Sequence, residues 1–212
     1  VVLRQGYGLT EVGVNCFSMS DEEAWAKAGS IGRPLMFTEA RVIDEGGQEL
    51  PADEVGELCF RGPHVSAGYW NNPEATAEAL DKEGWFHTGD MARRDEDGFF
   101  YIAGRAKDMF ISGGVNVYPA EIENVLLQHA SLADAAVIGV PHGTWGEVGV
   151  AFVVPAEGEK VTPDELGSFV GDRLARYKIP KEFRVVDELP RTAYGKVVKG
   201  ELVEQWKKEN KN

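Results

Sequence analysis

Gly104-Arg105-Ala106-Lys107-Asp108 is the stretch at which the hydrophobic pattern of this 212-residue chain changes period. Before it, from residue 31 to about 104, short apolar segments alternate with turns: residues 40–43, then Glu45-Gly46-Gly47, then Gly56-Glu57-Leu58-Cys59-Phe60-Arg61-Gly62, and later Gly98-Phe99-Phe100-Tyr101-Ile102. Alternation of period two bounded by glycine turns predicts a small antiparallel β-subdomain. One helix interrupts it, where Asn72 caps a helix opened by Pro73 with acidic residues in its early turns. Beyond Arg105, Ile122, Val125 and Leu126 fall at helical spacing, and strand runs follow at 135–140 and 149–154. Thr162-Pro163-Asp164-Glu165 reads as a capping box opening a helix whose apolar face is Leu166, Phe169, Val170 and Leu174. A strand at 184–186 and a terminal helix at 200–207 complete the pattern. The fold class is therefore α+β: a β-rich module over 1–104, a junction, and a small α+β module over 105–212.

Composition excludes several classes of function. Lys+Arg 22 against Asp+Glu 35 gives a net charge of −13, which argues against a surface built for nucleic acid or an anionic membrane. Cys16 and Cys59 are the only cysteines, with no Cys-x-x-Cys or Cys/His grouping in sequence, so neither a disulfide framework nor a zinc site is suggested. A reducing cytoplasm suits them. No apolar run approaches the roughly 18 residues of a membrane span, and no basic-then-apolar signal pattern opens the chain. The expected localisation is cytoplasmic, with peripheral membrane association left open.

Val1-Val2-Leu3-Arg4-Gln5-Gly6-Tyr7-Gly8 reads as a buried strand running into a tight glycine turn, and it lacks an initiator Met. The expectation is that residues before Val1 are missing. Near the other end, Pro190-Arg191-Thr192-Ala193-Tyr194-Gly195-Lys196 places a lysine just after a turn punctuated by Pro and Gly. Such a lysine reaches outward, and a compact ammonium on a flexible stem meets phosphates and carboxylates well. Taken alone it is a solvated surface charge.

Six stretches taken together resemble the C-terminal portion of an AMP-forming acyl-CoA synthetase, of the adenylating (ANL) superfamily that also holds luciferases and the adenylation domains of peptide synthetases. They are Tyr7 to Glu11, Gly56 to Gly62, Trp85-Phe86-His87-Thr88-Gly89-Asp90, Gly104 to Asp108, Ser112 to Glu123, and the Lys196 turn. They occur in the family's order and span practically the whole chain. The resemblance implies that 1–104 is the β-rich end of the large AMP-binding domain, that 105–212 is a small mobile C-terminal domain, and that a hinge at Lys107 and Asp108 joins them. It implies a carboxylic acid, ATP, Mg²⁺ and CoA as reactants, no nucleic-acid partner, no transmembrane segment, and compatibility with an oligomer. The family's Ser/Thr/Gly-rich phosphate loop and most of its acyl pocket lie upstream of Val1, so a chain of these residues alone is expected to be inactive.

The resemblance also assigns roles. Tyr7 lies against adenine, with Gly8 allowing close backbone approach; Thr10 meets phosphate and Glu11 binds Mg²⁺. Asp90 takes the ribose hydroxyls and Arg105 approaches the ribose from the other side, while Asn116 reaches the nucleotide. Gly113 and Gly114 admit the pantetheine arm of CoA, and Lys196 meets the α-phosphate together with the attacking carboxylate. Each has a plainer reading: Tyr7 an aromatic strand end, Glu11 an exposed acid, Asp90 a turn aspartate, Arg105 and Lys107 surface charges, and Gly113-Gly114 a hairpin. His64, His87, His129 and His142 show no ligand spacing, Trp85 and Trp145 read as core or packing residues, and Glu147 has no assigned role. The favoured substrate is a fatty acid, then an aromatic acid. The alternatives are an adenylation domain that loads a carrier-protein thiol and a non-catalytic nucleotide-binding module.

Overall fold

A computed structural model describes Leu3 and residues 5–210. Contacts divide the chain into two compact units, Val1–Ala106 and Lys107–Asn212, two residues beyond the boundary read from the change of period.

The first unit runs β1 (Phe17–Ser18), α1 (Asp21–Ala26), β2 (Arg33–Pro34), β3 (Glu39–Ile43), β4 (Gly56–Arg61), α2 (Pro73–Ala79), β5 (Phe86–Arg94) and β6 (Phe100–Arg105). β3 to β6 form a four-stranded antiparallel meander, and β1 and β2 form a two-stranded ribbon. The core is aromatic: Phe17 meets Phe60 edge-on and tilts against Phe100, with Ile31, Val42 and Leu58 packed around them. The strand expected at the N-terminus falls largely outside the described residues, which exclude Val1, Val2 and Arg4; Leu3 is 84% exposed, and residues 5–8 belong to no strand.

A 3₁₀ turn, Ala106–Asp108, spans the division, and the second unit runs β7 (Phe110–Ser112), β8 (Val115–Val117), α3 (Pro119–Leu126), β9 (Leu132–His142), β10 (Gly146–Pro155), α4 (Pro163–Gly171), β11 (Glu182–Val185) and α5 (Lys199–Glu209). β10 pairs along its length with β9; its other edge takes β11 in parallel and, at Gly146, β7. Because strand side chains alternate between faces, the hairpin feeds two cores. Val137, Ala151 and Val153 pack with Phe110 of β7 and with Ile122, Leu126, Leu166 and Val170 from α3 and α4. Ile138, Val140, Val150 and Phe152 pack with Leu189 and Leu202, the latter from α5.

Caps set the helix starts. The Asn72 side chain accepts from Ala75 N–H ahead of Pro73, as its sequence predicts. Thr162 accepts from Glu165 N–H, but the reciprocal half of the expected box is not formed: the Glu165 carboxylate lies 3.6 Å from His129 instead. The complete box belongs to Ser20 and Glu23, which open α1 and which the apolar periodicity did not reveal. α4 stops before Leu174, which still packs on the core; β11 begins two residues earlier than expected and α5 one.

Candidate active site

In the first unit the site is built on β5 and β6. Asp90 and Arg105 are cross-strand partners, so the fifteen-residue spacing between them is the span of a hairpin. Arg105 Nε lies 3.1 Å from Asp90 Oδ1, and the aspartate side chain is only 6% exposed. Tyr7 Oη donates to Asp90 Oδ2 at 2.6 Å. Burial first, and the carboxylate beside it second, push the Tyr7 phenol well above the usual tyrosine range, so it remains a donor. Its ring stacks on Phe60 at 6.0 Å and meets Phe17 edge-on. Each Asp90 oxygen thus has one protein donor and keeps a second acceptor site, which suits a pair of vicinal hydroxyls.

The backbone around Asp90 is shaped by its neighbours. Gly89 sits at φ +68, a region that glycine occupies without strain, and its N–H donates to Glu57 Oε1 at 2.9 Å. Thr88 Oγ1 donates to the Leu58 carbonyl at 2.7 Å and accepts from Asp90 N–H at 3.0 Å. Thr88 and Gly89 therefore fix the aspartate's peptide as well as preceding it in sequence.

Gly8 packs so tightly that a Cβ would overlap the Gly13 and Val14 backbone. Its neighbours Thr10 and Glu11 lie in the turn between Leu9 and Gly13. Tyr69 Oη donates to Glu11 Oε1 at 2.9 Å, a contact the sequence did not signal across 58 positions. The Glu11 carbonyl accepts from Ser66 N–H at 2.8 Å, and among the described residues the Tyr69 bond is the one shown to its carboxylate, which is half-buried beside the exposed Thr10. A single carboxylate that leaves other coordination positions to water and phosphate fits Mg²⁺.

In the second unit, Gly113 and Gly114 have φ +60 and +82 and form the two-residue turn of the β7–β8 hairpin. Gly113 N–H donates to the Trp145 carbonyl at 2.9 Å, and a Cβ at Gly113 would come within 2.9 Å of the Trp145 ring. Trp145 is 45% exposed and packs on this glycine turn, so of the two roles expected, core or packing, it has the packing one. Glu147 accepts from Ile111 N–H at 3.0 Å, fixing the start of the same hairpin. Asn116 is exposed on β8 and hydrogen-bonds the Tyr118 side chain. Lys107 and Asp108 occupy the 3₁₀ turn between the units. Lys196 is exposed on a turn closed by the Arg191–Val197 bridge; Gly195 sits at φ +81, and Lys196 N–H donates to Thr192 Oγ1 at 3.2 Å.

Folding also gathers Glu57, Cys59 and His87, which are scattered in sequence. His87 Nδ1 is 2.8 Å from Glu57 Oε2 and 3.6 Å from Cys59 Sγ. The short imidazole–carboxylate contact is a direct hydrogen bond, and burial with the negative charge of Glu57 pushes the Cys59 thiol up to about 12. The trio is a hydrogen-bonded knot beneath Trp85, which is buried as expected, with the Arg41 guanidinium 4.0 Å from its ring centroid.

The carboxylate–phenol–guanidinium group lies in the first unit, and the lysine turn lies in the second. Residues 1–70 match the family model of the AMP-binding enzymes, and residues 121–196 match the model of the AMP-binding enzyme C-terminal domain. The chain belongs to this family, the AMP-forming adenylating superfamily, and corresponds to its C-terminal portion. It is 48% identical over 198 residues to a feruloyl-CoA synthase from an Amycolatopsis species, covering 93% of this chain and 40% of that protein. It is 44% identical over 200 residues to a long-chain-fatty-acid–CoA ligase from Salmonella typhimurium, covering 94% of this chain and 35% of that protein. Among solved structures, the o-succinylbenzoate CoA synthetase of Bacillus subtilis in complex with its acyl-adenylate intermediate superposes with a TM-score of 0.89 at 39% identity, over 93% of this chain and 40% of that one. The chain therefore spans about 40% of the length of the relatives it matches.

Proposed function

We propose that the intact protein is an acid–thiol ligase: it activates a carboxylic acid with ATP and passes the acyl group to CoA, and this chain supplies the ribose-binding group and the mobile lysine. One observation carries the reading: Asp90, 6% exposed, is held by Tyr7 and Arg105 with an acceptor site left on each oxygen. The relatives named as CoA ligases, and a B. subtilis structure in complex with ATP and magnesium ion, support the choice of reactants.

In the first half-reaction a carboxylate oxygen attacks the α-phosphorus and pyrophosphate leaves. Two anions meet, so fixed positive charge lowers the barrier, each well-placed group contributing on the order of 10²- to 10³-fold. Lys196 supplies that charge from its exposed turn, next to the α-phosphate and the incoming carboxylate. Tyr7 and Gly8 bound the adenine, Asp90 and Arg105 hold the ribose, Thr10 and Asn116 add polar contacts to the nucleotide, and Glu11 holds Mg²⁺, which offsets phosphate charge when bound. In the second half-reaction the CoA sulfur attacks the acyl carbon, the thiol proton is released, and AMP departs. A turn of the small domain about Lys107 and Asp108 then replaces Lys196 by the Gly113-Gly114 hairpin, whose bare backbone admits the pantetheine arm. A fatty acid is the proposed substrate. The feruloyl relative, at 48% identity against 44% for the fatty-acid relative, makes an aromatic acid the competing choice.

The test is Lys196→Ala in the intact protein. Acyl-adenylate formation, followed by pyrophosphate release, is expected to fall at least 10²-fold, whereas thioester formation from preformed acyl-AMP stays near wild type. Equal loss in both half-reactions overturns the assignment. A panel of fatty and aryl acids, with free CoA and a carrier protein as acceptors, decides the substrate and the thiol.

A further inference from the structure

The turn that carries Lys196 is exposed, yet both ends are tied to the unit beneath it. At its start, the Arg191 guanidinium pairs with Asp134 on β9 and also donates to the Gly195 carbonyl across the turn. At its end, Lys199, the first residue of α5, places Nζ 2.7 Å from Glu123 Oε1 on α3. This second pair is mostly desolvated, the side chains being 23% and 17% exposed. The same Glu123 oxygen accepts from Val137 N–H at 2.8 Å, so the carboxylate is pinned to strand β9 and cannot follow a drifting lysine. Two residues separate Lys199 from Lys196, and Leu202, fully buried one turn further on, locks α5 against the sheet.

We propose that Lys199, through Glu123, is a positioning residue for the adenylation half-reaction: the pair fixes the far end of the turn and so sets where the Lys196 ammonium can reach. The inference rests on the catalytic reading of Lys196. A flexible lysine on a six-residue turn samples many positions, and holding a reacting group in place is worth a large share of a barrier; misplacement by about 1 Å can cost on the order of 10²-fold. Arg191 and Asp134 brace the near end but are more open to solvent, at 44% and 27% exposed, so their contribution is the smaller one.

The experiment uses the intact protein with Lys199→Met, Lys199→Arg and Glu123→Gln, each alone, and Lys199→Met also combined with Lys196→Ala. Lys199→Met and Glu123→Gln are expected to lower kcat for acyl-adenylate formation about ten- to a hundred-fold with KM for ATP little changed, and to leave thioester formation from preformed acyl-AMP untouched. Lys199→Arg restores most of the rate. In the Lys196→Ala background Lys199→Met adds no further loss, because its effect passes through that lysine. The proposal is overturned if Lys199→Met lowers both half-reactions equally, or if it costs the same factor with and without Lys196. Glu123→Gln keeps an acceptor for Val137 N–H and serves where Lys199→Met unfolds the domain. If Lys196→Ala itself spares adenylation, the catalytic reading fails and takes this one with it; if Lys196→Ala is crippling and the Lys199 and Glu123 variants fold with normal rates, only the positioning role fails.

Discussion

At the scale of single residues, the decisive contacts join positions far apart in sequence. Tyr7 and Asp90 are 83 positions apart, yet a 2.6 Å hydrogen bond joins them. Tyr7→Phe removes one donor to a buried carboxylate and is expected to cost about 1.5–3 kcal/mol in denaturant unfolding, and to raise KM for ATP in the intact protein. A stability equal to wild type would show that the bond is idle. The Cys59 thiol gives a second expectation. Its pKa is raised from 9.0 to about 12 in the folded state, so above pH 9 the unfolded chain loses a proton that the folded chain keeps. Stability is therefore whole below pH 9 and falls as pH rises toward 12, by at most about 1.4 kcal/mol per pH unit for this group. Cys16 and Tyr7, also raised, steepen the fall. Cys59→Ala is expected to shallow the alkaline limb of a Tm-against-pH curve, and an unchanged slope refutes the assignment.

At the scale of elements, local chemistry was legible wherever the deciding atoms lie within a few positions. Asn72 before Pro73, the glycine turn at Gly113 and Gly114, the alternation in β4 and the apolar runs of β9 and β10 all declare themselves in sequence. Failures arise where a distant group competes for an atom. Glu165 had the spacing of a capping box, but His129 lies within 3.6 Å of its carboxylate and the reciprocal bond is lost. Ser20 and Glu23 make both bonds, at 3.2 and 2.7 Å. The two helix starts should respond differently. Ser20→Ala and Thr162→Ala each remove a cap and are expected to cost about 0.5–2 kcal/mol. Glu23→Ala is expected to add a measurable loss at α1, whereas Glu165→Ala costs α4 only the weak contact with a histidine. Thermal melts of the four variants give the comparison, and equal losses for the two glutamates would contradict it.

At the scale of the whole molecule, the pattern changes from strand alternation to helical spacing at Gly104 to Asp108, and the two compact units divide after Ala106. The nucleotide roles proposed for Tyr7, Asp90 and Arg105 come only through family resemblance, since taken singly these are ordinary residues. What no pattern in the sequence could show is how unequally the two units hide their apolar surface. The second unit wraps its sheet with α3 and α4 on one core and α5 on the other, and apart from Tyr194 its exposed large apolar side chains are no more than 48% open. The first leaves Val14, Trp25, Met36, Phe37 and Trp70 between 76% and 99% exposed. Apolar surface left open in this way drives association. Expressed separately, residues 107–212 are therefore expected to be monomeric and to melt in one cooperative transition. Residues 1–106 are expected to self-associate and to bind a hydrophobic dye. Size-exclusion chromatography with light scattering, run beside dye titration, distinguishes the outcomes: a monomeric, dye-silent first unit would mean that those side chains are covered within the unit itself, and an aggregating second unit would mean that its two cores do not close without the first.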